Sequence, residues 1–161
     1  MSLVMSTTTS LLRYLFRLCG WLGVAILFAA GFTKFIDLSN FELSLKGWTV
    51  IAYSWQRTLI AFLVPSLEVL PLFLALAGRC RLGWFLGVCT SGLLMVGVVA
   101  QRLAGDVPEC KCFGILTAKF DVDRSFGLHI SILLVIVALH VLGIWADRHA
   151  SPRKPWVRTN G

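Results

Sequence analysis

Four stretches of the chain run almost without charge for about the width of a bilayer. Residues 18–33 are 16 uncharged positions, and the stretch extends back through Tyr14 with only Arg17 interrupting. Residues 58–78 are 21 positions broken once, by Glu68. Residues 82–101 are 20 positions with no charge, and residues 125–146 are 22, polar only at Ser125, His129, Ser131 and His140. A helix of about 20 residues crosses roughly 30 Å of hydrocarbon. Backbone groups in lipid must be satisfied internally, which leaves helices as the spanning elements. The pattern predicts an all-α membrane protein, a four-transmembrane-helix bundle with spans over about 14–33, 58–78, 82–101 and 125–146.

The first stretch also has features of a signal peptide, with Arg13 and Arg17 before the apolar run and Ala29-Ala30 as a cleavage zone. Lys34 follows it directly, and the favoured reading keeps the stretch as a span. Between spans one and two the period changes. Leu38, Phe41, Leu45 and Trp48 fall on one helical face, and Ser39 with Glu42 has the spacing of a capping box. This predicts a short amphipathic helix over 40–50 at the outer interface. The bundle is expected to occupy 1–150. Residues 151–161, with Pro152 and Pro155 among basic side chains, are expected to form a loose basic cytoplasmic tail.

Composition agrees with the pattern. Of 161 residues, 57% are hydrophobic and 14% charged, against about 45–50% and 25% in soluble domains. That excludes a disordered chain and an ordinary soluble enzyme. The net charge of +7 reflects loops rather than nucleic-acid binding. Eight basic residues lie in short, dense clusters on one side: Arg13, Arg17, Arg79, Arg81, Arg148 and three in the tail. Seven lie on the other side, in longer loops shared with six acids. The positive-inside rule then places both termini in the cytoplasm, in a bacterial inner membrane.

The third connection carries the candidate chemistry. It contains Cys110-Lys111-Cys112-Phe113-Gly114, on the predicted outer and oxidising side. Cysteines two apart point away from each other in a helix and reach the limit for bridging in a strand, so a bridge needs a tight, strained turn. Strained disulfides are the labile ones. Lys111 favours a thiolate at its neighbours. A reversible redox pair, a static disulfide or two separate thiols, and a metal site all stay open. The metal reading is disfavoured, because four ligands are wanted and no further Cys lies in the loop. Cys19, Cys80 and Cys89 are expected to be inert. Glu68 is the one acid inside a span and is either functional or paired with Lys34. His129, one turn into the fourth span, is a candidate base for the thiols, and His140 a packing residue. Gly83, Gly87 and Ser91 make a small-residue stripe that permits close helix contact.

These residues resemble the MauE family, the integral-membrane proteins of methylamine utilisation, within the wider DoxX-like group. The resemblance rests on Gly31-Phe32-Thr33-Lys34 with Asp37, on Pro65 with Glu68, and on the C-x-C-F-G loop before the fourth span. Lys111 stands where the family commonly has Gly. The resemblance implies a four-helix membrane protein that works with an extracytoplasmic thioredoxin-like protein in maturing a disulfide-rich periplasmic subunit. Analogy with other four-helix disulfide-forming membrane proteins adds a membrane quinone as the electron partner. The rival readings are a non-catalytic membrane anchor or assembly factor, and a small transporter subunit using Glu68.

Overall fold

The computed structural model describes residues 2–105 and 126–149, with side chains from Ser10 onward. The described residues form α1 (Ser2–Ile36), α2 (Leu38–Ser44), a 3-10 turn (Leu45–Gly47), α3 (Ser54–Leu76), α4 (Cys80–Leu103) and α5 (Phe126–Arg148). Four segments are long and apolar enough to cross a membrane: Ser10–Ile36, Ser54–Leu76, Cys80–Leu103 and Phe126–Arg148. They run alternately up and down, and each helix packs on two neighbours in the ring order α1, α3, α4, α5. Leucines and phenylalanines such as Leu18, Phe62, Phe85 and Leu134 are exposed on the outside, as a surface in contact with lipid tails requires.

Small residues and proline set the contacts. Pro71 sits inside α3 and cannot donate the N–H that would reach the carbonyl of Leu67. That carbonyl instead accepts the Thr90 hydroxyl of α4 at 3.3 Å, which satisfies in a neighbouring helix what the proline took away. The predicted stripe is used. Gly83 lies against the Pro71 carbonyl, Gly87 lies under the His140 ring, and Ser91 is fully buried. Gly78 (φ 80) ends α3 in the left-handed region, and Arg79 N–H donates to Leu74 O at 2.9 Å, so the chain reverses within a few residues.

The interfacial helix forms with the predicted face inward. Phe41 and Leu45 are buried with Ala61 of α3, and Leu38, Trp48, Ile60 and Val64 pack around them. It is α-helical only to Ser44 and finishes as the 3-10 turn, leaving Trp48 extended. The predicted capping box does not form. Asp37 is the N-cap and Ser39 lies inside the helix. Glu42 accepts a hydrogen bond from Thr58 Oγ1 at 2.8 Å. A partner on α3 has replaced the local one.

Candidate functional site

The chain ends that meet beside α2 define one end of the bundle. They are the C-terminus of α1, the N-terminus of α3, the C-terminus of α4 and the N-terminus of α5. Gln101 Nε2 donates to the Gly47 carbonyl at 3.3 Å, and the Arg102 guanidinium lies 5.9 Å from the centroid of the Phe126 ring. Trp48 packs near Val98 with Phe126 and Ile130. The 3-10 turn is thereby tied to α4 and α5 as well as to α3.

Just below this cap lies the paired charge. Lys34 Nζ donates to Glu68 Oε1 at 2.5 Å and to Oε2 at 2.6 Å. Both side chains are 1% exposed. The sequence places Glu68 inside an apolar span and Lys34 directly after one, and in the structure the first span runs on to Ile36 and takes in Lys34. A lone charge there costs several kcal/mol (about 2.5–3.5 on insertion scales). Pairing removes most of the reason for either to leave. Gly31, one turn before Lys34, lets α1 approach the Glu68 Cβ and the Pro65 carbonyl closely. The Phe41 ring of α2 covers the ammonium, its centroid 5.6 Å from Nζ.

Lys34 also lines a cavity of about 320 Å³ between α2, α3 and α4. Its other walls include Phe41, Leu45, Trp48, Val64, Leu67, Leu94 and Gly97. Among the described lining residues Lys34 is the only charged one. Volume and lining match the low end of small-molecule sites. Sequence reasoning did not find this cavity, because α2 creates it by standing across the mouth of the α3–α4 crevice.

The other predicted residues divide. Cys110, Lys111 and Cys112 lie outside the described residues, in the segment that joins α4 to α5. His129 is buried in the first turn of α5, at the same end of the bundle as Lys34. His140 is fully buried, and its Nδ1 is 2.7 Å from the Ile136 carbonyl, which makes Nδ1–H the donor and leaves Nε2 as the acceptor. Among the described residues Nε2 has no partner. Cys19 and Cys80 are half-buried, and Cys80 Sγ lies 3.5 Å from the Ala75 carbonyl. Cys89 is exposed on α4 rather than buried, since it lies on the outer side of a span. At the far end, Arg17 Nη2 and Asp147 Oδ1 pair at 2.8 Å, joining α1 to α5.

The family model for the methylamine utilisation protein MauE matches residues 12–146. No curated protein and no solved structure matches the chain. The matched range runs from Leu12 within α1 to Ala146 in the last turn of α5 and includes both Lys34–Glu68 and the C-x-C-F-G loop. A four-span membrane protein with that coverage has its family fixed: the chain belongs to the MauE family.

Proposed function

We propose that the protein is a membrane thiol–disulfide exchange component whose Cys110 and Cys112 react with an extracytoplasmic thioredoxin-like protein. The observation that carries this reading is the Cys110-Lys111-Cys112-Phe113-Gly114 sequence, inside the family match, in the segment joining α4 to α5. In the exchange, a thiolate of the partner attacks one sulfur of the Cys110–Cys112 disulfide. The S–S bond breaks, and the other loop sulfur leaves as a thiolate. The partner's second thiolate then attacks the mixed disulfide, which yields a loop dithiol and an oxidised partner. Electrons and protons balance, and the reverse sequence runs through the same species. Lys111 favours the thiolate form by its charge. Before the attack His129 takes the proton of the attacking thiol, and the loop thiolate that leaves is protonated in turn. Lys34 and Glu68 hold α1 and α3 together at the end of the bundle where α4 ends and α5 begins. The loop faces the periplasm, and both termini lie in the cytoplasm of a bacterial inner membrane. The service is in methylamine utilisation or in the maturation of a periplasmic protein.

Trapping tests this reading. Cys112→Ser or Cys110→Ser should leave one loop thiol joined to the partner, seen as a reducible band of higher mass on a non-reducing gel. Full activity of the double Ser variant would remove the redox role and leave a docking scaffold.

A further inference from the structure

The cavity beside Lys34 is unexplained by thiol exchange. We propose that it binds a neutral, lipid-soluble molecule with a carbonyl head and an apolar tail, the Lys34 ammonium donating a hydrogen bond to the head.

Four observations carry this. First, an ammonium has three N–H donors, and two of them go to the two oxygens of Glu68. Among the described residues the third has no oxygen acceptor, only the face of Phe41. A buried donor without an oxygen is costly, and a ring face compensates it weakly. Second, the pair carries no net charge, so a carboxylate or phosphate head would bring an uncompensated anion into an apolar site. A neutral carbonyl brings an acceptor alone. Third, the walls suit a tail and not a cluster of waters, which need several polar partners each. The Ser44 hydroxyl, the other small polar group there, already donates to the Phe41 carbonyl at 2.7 Å. Fourth, the rim opens sideways to lipid. Val50, Leu63, Leu93 and Val96 line the cavity and are 48–66% exposed. A molecule dissolved in the bilayer can enter there without crossing water.

Two natural sources share this chemistry: a membrane quinone and the ester of a glyceride. The residues fit a quinone head, with Lys34 as its donor and Phe41 and Trp48 as aromatic walls. Binding does not require the loop thiols and is tested without them, in the Cys110→Ser, Cys112→Ser protein.

That protein, purified in detergent, is mixed separately with decylubiquinone, ethyl dodecanoate and pentadecane, and native mass spectrometry reads the bound mass. One equivalent of a carbonyl probe should bind about tenfold or more tightly than pentadecane, as expected for one hydrogen bond to a charged donor. The quinone and ester arms identify the source. Gly97→Phe should abolish the adduct by filling the cavity. A Cβ at Gly97 meets only the Trp48 ring, at 3.6 Å, so this variant should keep its elution volume. The double variant Lys34→Met, Glu68→Met should bind all three probes equally. Equal binding of the hydrocarbon by the parent protein, absence of any carbonyl adduct, or an adduct that survives Gly97→Phe would overturn the proposal.

Discussion

Gly31 of α1 and Glu68 of α3 touch backbone to side chain: a Cβ placed on Gly31 would stand 2.8 Å from the Glu68 Cβ and 2.8 Å from the Pro65 carbonyl. This contact brings α1 close enough for Lys34 to reach both carboxylate oxygens. Gly31→Ala should therefore force the helices apart and cost about 1–3 kcal/mol, the usual range for overpacking. Gly31→Val should cost more. Thermal unfolding in detergent checks the order. A Gly31→Val protein as stable as the parent would mean that the approach of α1 to α3 does not depend on this glycine.

The ion pair itself should behave asymmetrically under mutation. Removing one partner leaves a buried charge, so Lys34→Met or Glu68→Gln should each lose about 3–5 kcal/mol. Removing both charges leaves two apolar side chains in an apolar place. Lys34→Met with Glu68→Met should thus be closer to the parent than either single variant. A double variant that loses the sum of the two single losses would show that the residues do not act as a pair.

Much of this was legible in the sequence because lipid restricts the choices. Four uncharged runs of span length become helices, and the lone intramembrane acid finds the one lysine that closes span one. The helix ends differ by a few residues, as at Ser54 against the expected 58, because polar first turns at an interface carry little hydropathy signal. Ser39 and Glu42 misled for a physical reason: Thr58 of α3 competes for the carboxylate that a capping box would use. The Thr90–Leu67 bond had a readable cue, the proline four residues after Leu67. The cavity had none, since it depends on where α2 sits across two other helices. Cys110, Lys111 and Cys112 were legible as a motif, and their geometry lies outside the described residues.

The far half of the bundle depends on glycines under aromatic rings. Gly87 of α4 lies directly beneath His140, and Gly143 of α5 lies against Trp84, whose Cδ2 would be 2.9 Å from an added Cβ. His140 and Trp84 are 0% and 1% exposed, so neither ring has open space beside it. Gly87→Ala should destabilise by about 1–3 kcal/mol. His140→Ala in the same protein should recover part of that loss, because the alanine methyl then occupies space the ring has left. A double-mutant cycle measures the coupling, and strict additivity would separate the two residues.

The Arg17–Asp147 pair shows which helix ends lie together, and the positive-inside rule predicts that they face the cytoplasm. Arg13 and Arg17 of α1 gather with Asp147 and Arg148 where α5 ends, and Arg79 and Arg81 lie at the α3–α4 turn of that same end. The pair is partly exposed, 45% at Arg17 and 23% at Asp147, so its contribution to stability is small, about 0–1 kcal/mol. Its neighbours matter more for insertion, since short loops rich in Lys and Arg stay in the cytoplasm. Reporter fusions after Arg81 and after Cys112 should accordingly give opposite signals, cytoplasmic for the first and periplasmic for the second. Replacing Arg79 and Arg81 by Asn should weaken that bias and produce a mixed population at the first fusion. Asp147→Asn should leave the orientation intact and change unfolding by less than about 1 kcal/mol. A periplasmic signal after Arg81 in the parent protein would invert the bundle and put Cys110 and Cys112 in the reducing compartment, where the proposed exchange would have no oxidising surroundings.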